Sequence, residues 1–344
     1  MTGDLNREIL VGRDWANGTF KDKIFRFSSY TFPACKSCND EFGILERETK
    51  PVLIDVMSGN NVEERDLNTL LDWFDKIRTG LWLSDYVLNK NHNGINPHYF
   101  ISDRVARSDR ALIIYKNDKD PDGVNFIGTD GPIFQTMPSV FGLKINNFYF
   151  ISISAPLLVH KELGLSYPKL HEIDSETEIS WYSFSDGTQK IAIPSFINRF
   201  PENGITLLQA IKLKDDKLTE GSGLLYDSEH DRRIFNFDNE NRRSIFISGK
   251  DITKYPKEST RLTIKDVNYP VMFNLQLGLH LMECQEDMFK TNIIYDNITG
   301  GKSEKVKNHL DYITNAHGVL KGVYKIQLRH LFSGVLKDLT MRIK

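Results

Sequence analysis

The feature that most constrains this chain is the run Cys35-Lys36-Ser37-Cys38-Asn39. Ahead of it, Ile24 to Phe32 is rich in aromatics and alternates weakly, which predicts a strand running into Pro33. Behind it, Asn39 to Thr49 predicts a helix. Phe42 and Leu45 are spaced for one apolar face, and Asp40 and Glu41 sit near the positive end of the helix dipole. Two thiols one helical turn apart can grip a soft metal ion or exchange as a disulfide. Three cysteines in 344 residues cannot form a disulfide framework. A reducing interior, and so a cytoplasmic location, is the simplest expectation, and there a close pair binds metal or does redox work.

Structural zinc takes four ligands in a tetrahedron, and a Cys-x-x-Cys by a helix N-terminus supplies two of them. Pro33-Ala34-Cys35-Lys36-Ser37-Cys38-Asn39-Asp40-Glu41-Phe42, continuing to Leu45-Glu46, resembles the second half of the finger of HNH endonucleases of the four-cysteine type. The resemblance covers residues 24–60 or so. It implies a partial treble-clef, ββα-like element over residues 1–60, with Cys35 and Cys38 as zinc ligands. Asn39 would be the middle Asn, whose side chain holds the ββ loop so that a catalytic His is aimed correctly. Glu46, seven residues on and on the same helical face, is the candidate for a further metal-binding or phosphate-contacting group. The implied activity is metal-dependent cleavage of a nucleic-acid phosphodiester, of DNA first, using a catalytic divalent cation such as magnesium beside the structural zinc.

The chain departs from that family in one place. No Cys and no His lies between Met1 and Cys35, so the first zinc pair and the general base are both missing. Either the chain starts inside the finger, in which case upstream coding sequence holds the rest, or it is a degenerate relative. In both cases the chain as it stands is expected not to cleave, and two thiolates alone are expected to hold zinc weakly. The alternative is a non-catalytic nucleic-acid-binding or interaction protein that keeps the finger scaffold. A redox protein is the third reading, opposed by the lack of regular βαβ units and by the Asn after the second Cys. His92 and His98, flanking Asn93-Gly94-Ile95-Asn96-Pro97, could complete a metal site, although exposed turn histidines are the simpler account.

The rest of the chain predicts an α+β fold, with a companion region over 61–344 that is helical at 61–95, strand-rich at 96–200 and mixed at 201–344. Pro51 should end the first helix or open a second at Val52 to Met57, which Gly59 terminates. Leu70-Phe74-Ile77-Leu81 marks a helix from about Leu67 to Leu88. Ala111 to Tyr115 and Phe148 to Ser154 are the clearest strands. Ile205 to Leu213 predicts a helix, as does Val271 to Phe289, where Cys284 would be a small buried hydrophobe. A last helix should begin at Ser303 and stop before Gly318. No run approaches the roughly 18 uncharged apolar residues of a membrane span, so no membrane partner is expected.

Charge is unevenly spread. Residues 301–344 hold nine Lys/Arg and three Asp/Glu, a balance of +6, so the other 300 residues carry −8 within a net charge of −2. That suits either a phosphate-contacting face or an ordinary solvated helix. Arg104, Arg107 and Arg110 recur at spacing three, which suits a basic helix edge or local pairing with Asp103 and Asp109. Asp296 to Ser303 resembles a phosphate-binding loop with a carboxylate where the first Gly belongs, so a turn capped by Ser303 is the better reading.

Overall fold

A computed structural model describes residues 8–16, 19–26, 34–88, 101–165, 167–173, 180–185, 199–200, 204–213, 220–223, 235–236, 244–248, 252–256, 258–267, 273–291 and 304–343. The chain opens with two strands, β1 (Glu8–Ala16) and β2 (Thr19–Arg26), followed by α1 (Lys36–Ser58), β3 (Asn61–Val62) and α2 (Glu64–Leu88). Next come β4 (Asp109–Lys116), β5 (Val124–Ile127), α3 (Pro132–Thr136), β6 (Val140–Ile145), β7 (Phe148–Ala155) and α4 (Leu158–Glu162). Short strands follow: β8 (Tyr167–Ile173), β9 (Ser180–Ser185), β10 (Ile205–Gln209), β11 (Lys212–Leu213), β12 (Glu220–Gly223) and β13 (Phe235–Asn236). β14 (Ile245–Ser248), β15 (Ile252–Lys254), β16 (Thr260–Arg261), α5 (Phe273–Thr291) and α6 (Glu304–Ile343) complete it.

The centre is a seven-stranded antiparallel sheet in the order β15-β14-β10-β4-β7-β6-β5. Side chains of a strand alternate between faces, and here both faces are covered by helices. Leu112 and Ile114 of β4, with Phe150 of β7, face Val52, Leu53 and Val56 of α1 and Leu67, Leu70 and Phe74 of α2. Ala111, Ile113 and Tyr115, with Tyr149 and Ile151, face Leu277, Leu281, Cys284 and Met288 of α5. Ile133 of α3 joins Phe289 of α5 to Leu310 and Ile313 of α6. The architecture is α+β, as its sequence patterns predict, with antiparallel pairing throughout the sheet. The core on the first face crosses residue 60, because α1 and α2 fill it together.

Four local expectations are corrected. Pro51 lies inside α1, which runs unbroken to a left-handed Gly59 cap (φ 68°). Proline removes one helical N–H, but Pro51 is exposed, so water can serve the carbonyl that loses its donor. Ile205 to Gln209 is a strand, buried at every position between β4 and β14, and so lacks the alternation that would have identified it. α6 continues through Gly318 to Ile343, because Leu310, Ile313, His317, Tyr324 and Leu328 keep one face buried. Arg104 and Arg107 follow a single 3-10 turn (Ile101–Asp103), whereas Arg110 is in β4, so the three do not share a helix edge. His92, His98, the loop at 296–303 and the extension of the first predicted strand over 27–32 lie outside the described residues.

Candidate functional site

β1 and β2 pair antiparallel from Glu8↔Arg26 to Ala16↔Thr19, with an irregularity between Leu10 and Gly12. α1 follows with Cys35 at its N-cap in extended conformation (φ −67°, ψ 155°). The Cys38 amide donates to Cys35 Sγ at 3.3 Å, filling one of the donor positions that every helix start leaves open. The Asn39 amide donates to the Cys35 carbonyl at 2.9 Å. The two sulfurs are 2.7 Å apart, and Ser37 Oγ lies 3.3 Å from Cys35 Sγ. Cys35 is exposed and Cys38 half-buried.

This arrangement splits the two thiols. Hydrogen bonds from the Cys38 thiol, the Ser37 hydroxyl and the Cys38 amide stabilise the Cys35 thiolate and lower its pKa to about 7. Cys38, which gives its proton to that bond, is pushed up. The site therefore presents one ready thiolate with a second sulfur in reach. Two thiolates on a tetrahedral zinc at about 2.3 Å would sit about 3.8 Å apart, and a disulfide brings them to about 2.05 Å. The exposed Cys35 side chain can reach either separation by rotation. Cys35 and Cys38 fit two positions of a soft-metal site. Among the described residues no group of three His, Cys, Asp or Glu is placed to hold a metal ion.

The other two residues of the resemblance part company. Asn39 is exposed, with no side-chain hydrogen bond among the described residues. Glu46 is turned to α2 and forms an ion pair with Lys76 there, its side chain 53 % exposed. A cavity of about 360 Å³ lies further along α1, lined by Lys50, Leu53, Ile54 and Met57 with Val124 and Ile145 of the sheet edge. Fifteen residues of helix rise, roughly 22 Å, separate Lys50 from Cys35. The cavity is not part of the thiol site.

Two polar clusters escaped the sequence reading. Arg110, 3 % exposed, donates to Asp72 at 2.5 Å and to Asp75 at 3.3 Å, and also to Gln209 of β10. Asp75 holds Arg78 at 2.7 Å and the Ala106 amide at 3.0 Å. Asp109, beside Arg110 but on the other face, takes the His160 ring at 2.8 Å and the amides of His160 and Ile211, both at 2.9 Å. The partners of Arg110 and Asp109 are long-range, not each other's neighbours in sequence. The separations of 35 to 102 residues between Arg110 or Asp109 and these partners leave no signal in spacing. Both clusters bind elements together: α2 to β4 and β10, and α4 to β4.

In α6, Lys321 is paired with Glu286 of α5, and Lys325 lies 3.9 Å from Glu283, so part of the C-terminal basic charge is answered internally. No helix is long and apolar enough among the described residues to cross a membrane. No family model, curated protein or solved structure matches the chain.

Proposed function

We propose that residues 8–58 are the hairpin and helix of a zinc finger of nuclease lineage, and that this chain binds nucleic acid, DNA first, without cleaving it. The observation that carries the reading is the order of parts: an antiparallel hairpin, then a helix whose N-cap and third residue are the two thiols. In such a finger Cys35 and Cys38 would hold structural zinc. The ion would fix the helix start against the hairpin, and Asn39 would lie at the hairpin's loop. Cleavage needs a base to activate water, and residues 1–91 contain no histidine. Glu46, the candidate for a catalytic divalent cation such as magnesium, is engaged by Lys76.

Incubating the full chain with supercoiled plasmid in Mg²⁺ or Mn²⁺ tests this. Removal of a general base typically costs roughly 10²–10⁴-fold, so no metal-dependent nicking is expected, while duplex binding persists. Robust cleavage that Asn39→Ala abolishes would contradict the proposal.

One observation favours a second reading. The lowered Cys35 and raised Cys38 are the division of labour that thiol–disulfide exchange requires, with one attacking thiolate and one resolving thiol. In that reaction Cys35 sulfur attacks a substrate disulfide, one substrate thiolate leaves, and Cys38 then displaces the second to close Cys35–Cys38. Equilibration with glutathione redox buffers separates the readings. A Cys35–Cys38 disulfide that forms and is reduced reversibly within the range of these buffers favours redox work.

A further inference from the structure

Seven large hydrophobic side chains are exposed among the described residues, and three of them, Tyr312, Val319 and Ile326, fall on one line of α6. They are 71 %, 70 % and 53 % exposed and recur every seven residues, two turns of helix. The opposite face of α6, Leu310, Ile313, His317, Tyr324 and Leu328, is the one that packs on the protein. Intramolecular packing therefore accounts for one side of α6 and leaves an apolar seam on the other.

Two further features lie on a line beside that seam, roughly a fifth of a turn round the helix. A Cβ at Gly318 or Gly322 would meet nothing within 4 Å, so nothing in the described protein needs glycine there, although glycine weakens a helix interior. Glycines four apart do let a second helix come close. Beside them on the same line lie Asp311 and Arg329, both exposed. Asp311, Gly318, Gly322 and Arg329 are symmetric about position 320, and Tyr312, Val319 and Ile326 about position 319. A two-fold axis crossing the helix between residues 319 and 320 brings Asp311 beside Arg329 of a second copy, glycine beside glycine, and Val319 beside its own copy, each within one residue of exact register.

We infer that the outer face of α6 is a homodimer interface, in which two copies pair antiparallel about a two-fold axis between residues 319 and 320. The seam is self-complementary in charge only in that direction; parallel pairing would place Asp311 against Asp311 and Arg329 against Arg329. Burial of Tyr312, Val319 and Ile326 drives association, and the Asp311–Arg329 pairs fix its direction. The inference is independent of the finger reading, because it uses no residue of α1.

Sedimentation equilibrium of the full chain tests it, with circular dichroism to verify that each variant is folded. The wild type should be a dimer at micromolar concentration. Val319→Asp should raise the dissociation constant at least tenfold. Asp311→Arg should weaken the dimer, and adding Arg329→Asp should restore it. A monomeric wild type, or a dimer unmoved by Val319→Asp, would overturn the interface. Failure of the double variant to recover would overturn the antiparallel pairing.

Discussion

Cys35 caps the helix that carries Cys38, and the cap is a sulfur: the Cys38 amide reaches Cys35 Sγ at 3.3 Å and the Cys38 thiol lies 2.7 Å from it. An N-cap is normally an oxygen from Ser, Thr, Asp or Asn. A thiolate does the same work as an anion at the positive end of the dipole, so helix start and thiol reactivity are coupled. Alkylation should report this. The rate at Cys35 should follow a thiolate titration with a midpoint of about 7, slow below it and saturating above. Cys38→Ala removes the donating thiol, and the midpoint should move up toward 9.0, the ordinary value. An unchanged midpoint in that variant would assign the lowering to the Ser37 hydroxyl and the backbone amides instead.

Arg110 should matter more to stability than any ion pair on the surface. Arg110→Met removes the buried cation that Asp72 and Asp75 share, although Asp75 keeps Arg78, and breaking a buried pair from one side costs about 3–5 kcal/mol. Lys76→Ala, which breaks the exposed pair with Glu46, should cost under about 1 kcal/mol. Urea midpoints of the two variants, measured together, check the ordering; equal losses would contradict it.

Acid should destabilise the protein through His317. Its Nε2 donates to the Met282 carbonyl at 2.9 Å while Nδ1 is buried with no partner. Burial lowers its pKa; the Met282 carbonyl and Glu286 oppose this, and Lys321 and Lys290 reinforce it. Glu286 does not change charge in this range. Burial works to raise its carboxyl, but the bonds from Lys290 and Lys321 override that and hold it at about 2. The unfolded chain therefore takes up a proton as pH falls through 6.5 while the folded chain resists it. Melting temperature should fall from pH 7.5 to 5.5, and less steeply in His317→Gln. Identical slopes would place the acid sensitivity elsewhere, with His280, lowered by burial too, as the next group to replace.

If residues 301–344 contact a nucleic-acid backbone, binding must weaken steeply with salt, because each neutralised phosphate releases counterions. Some four to six contacts give a log–log slope of roughly −4 to −5 on duplex DNA. Lys302→Glu with Lys305→Glu and Lys307→Glu should weaken binding uniformly across sequences, since phosphate contacts position without reading bases. Equal affinity of the triple variant and the wild type would remove this segment from the interface.

Much of the fold was legible because it follows from spacing. α2, β4, β7 and α5 lie close to where their apolar periods put them. β10 was not, since a strand buried on both faces shows a plain apolar run that periodicity cannot tell from a helix. The unbroken α1 was missed because proline is a local signal, and the burial of Thr49, Val52, Leu53 and Val56 around Pro51 overrides it. At the site, the cysteines announced themselves by spacing and by the helix after them. Lys76 as the partner of Glu46, and His160 as the partner of Asp109, could not be read, because 30 and 51 residues separate them. Such pairs are made by the packing of helices on a sheet.

Cys35 and Cys38 are proposed as two corners of a soft-metal site. Titrating the fully reduced chain with Cd²⁺, a thiolate-seeking stand-in for zinc, and following sulfur-to-metal charge-transfer absorption tests it directly. The account predicts absorption that saturates at one ion per chain with the intensity of two thiolates. Affinity should be weak because no third ligand is placed with the pair among the described residues, and the signal should vanish in Cys35→Ser and in Cys38→Ser. No charge-transfer band with both thiols free, or a band that persists in Cys35→Ser, would contradict it.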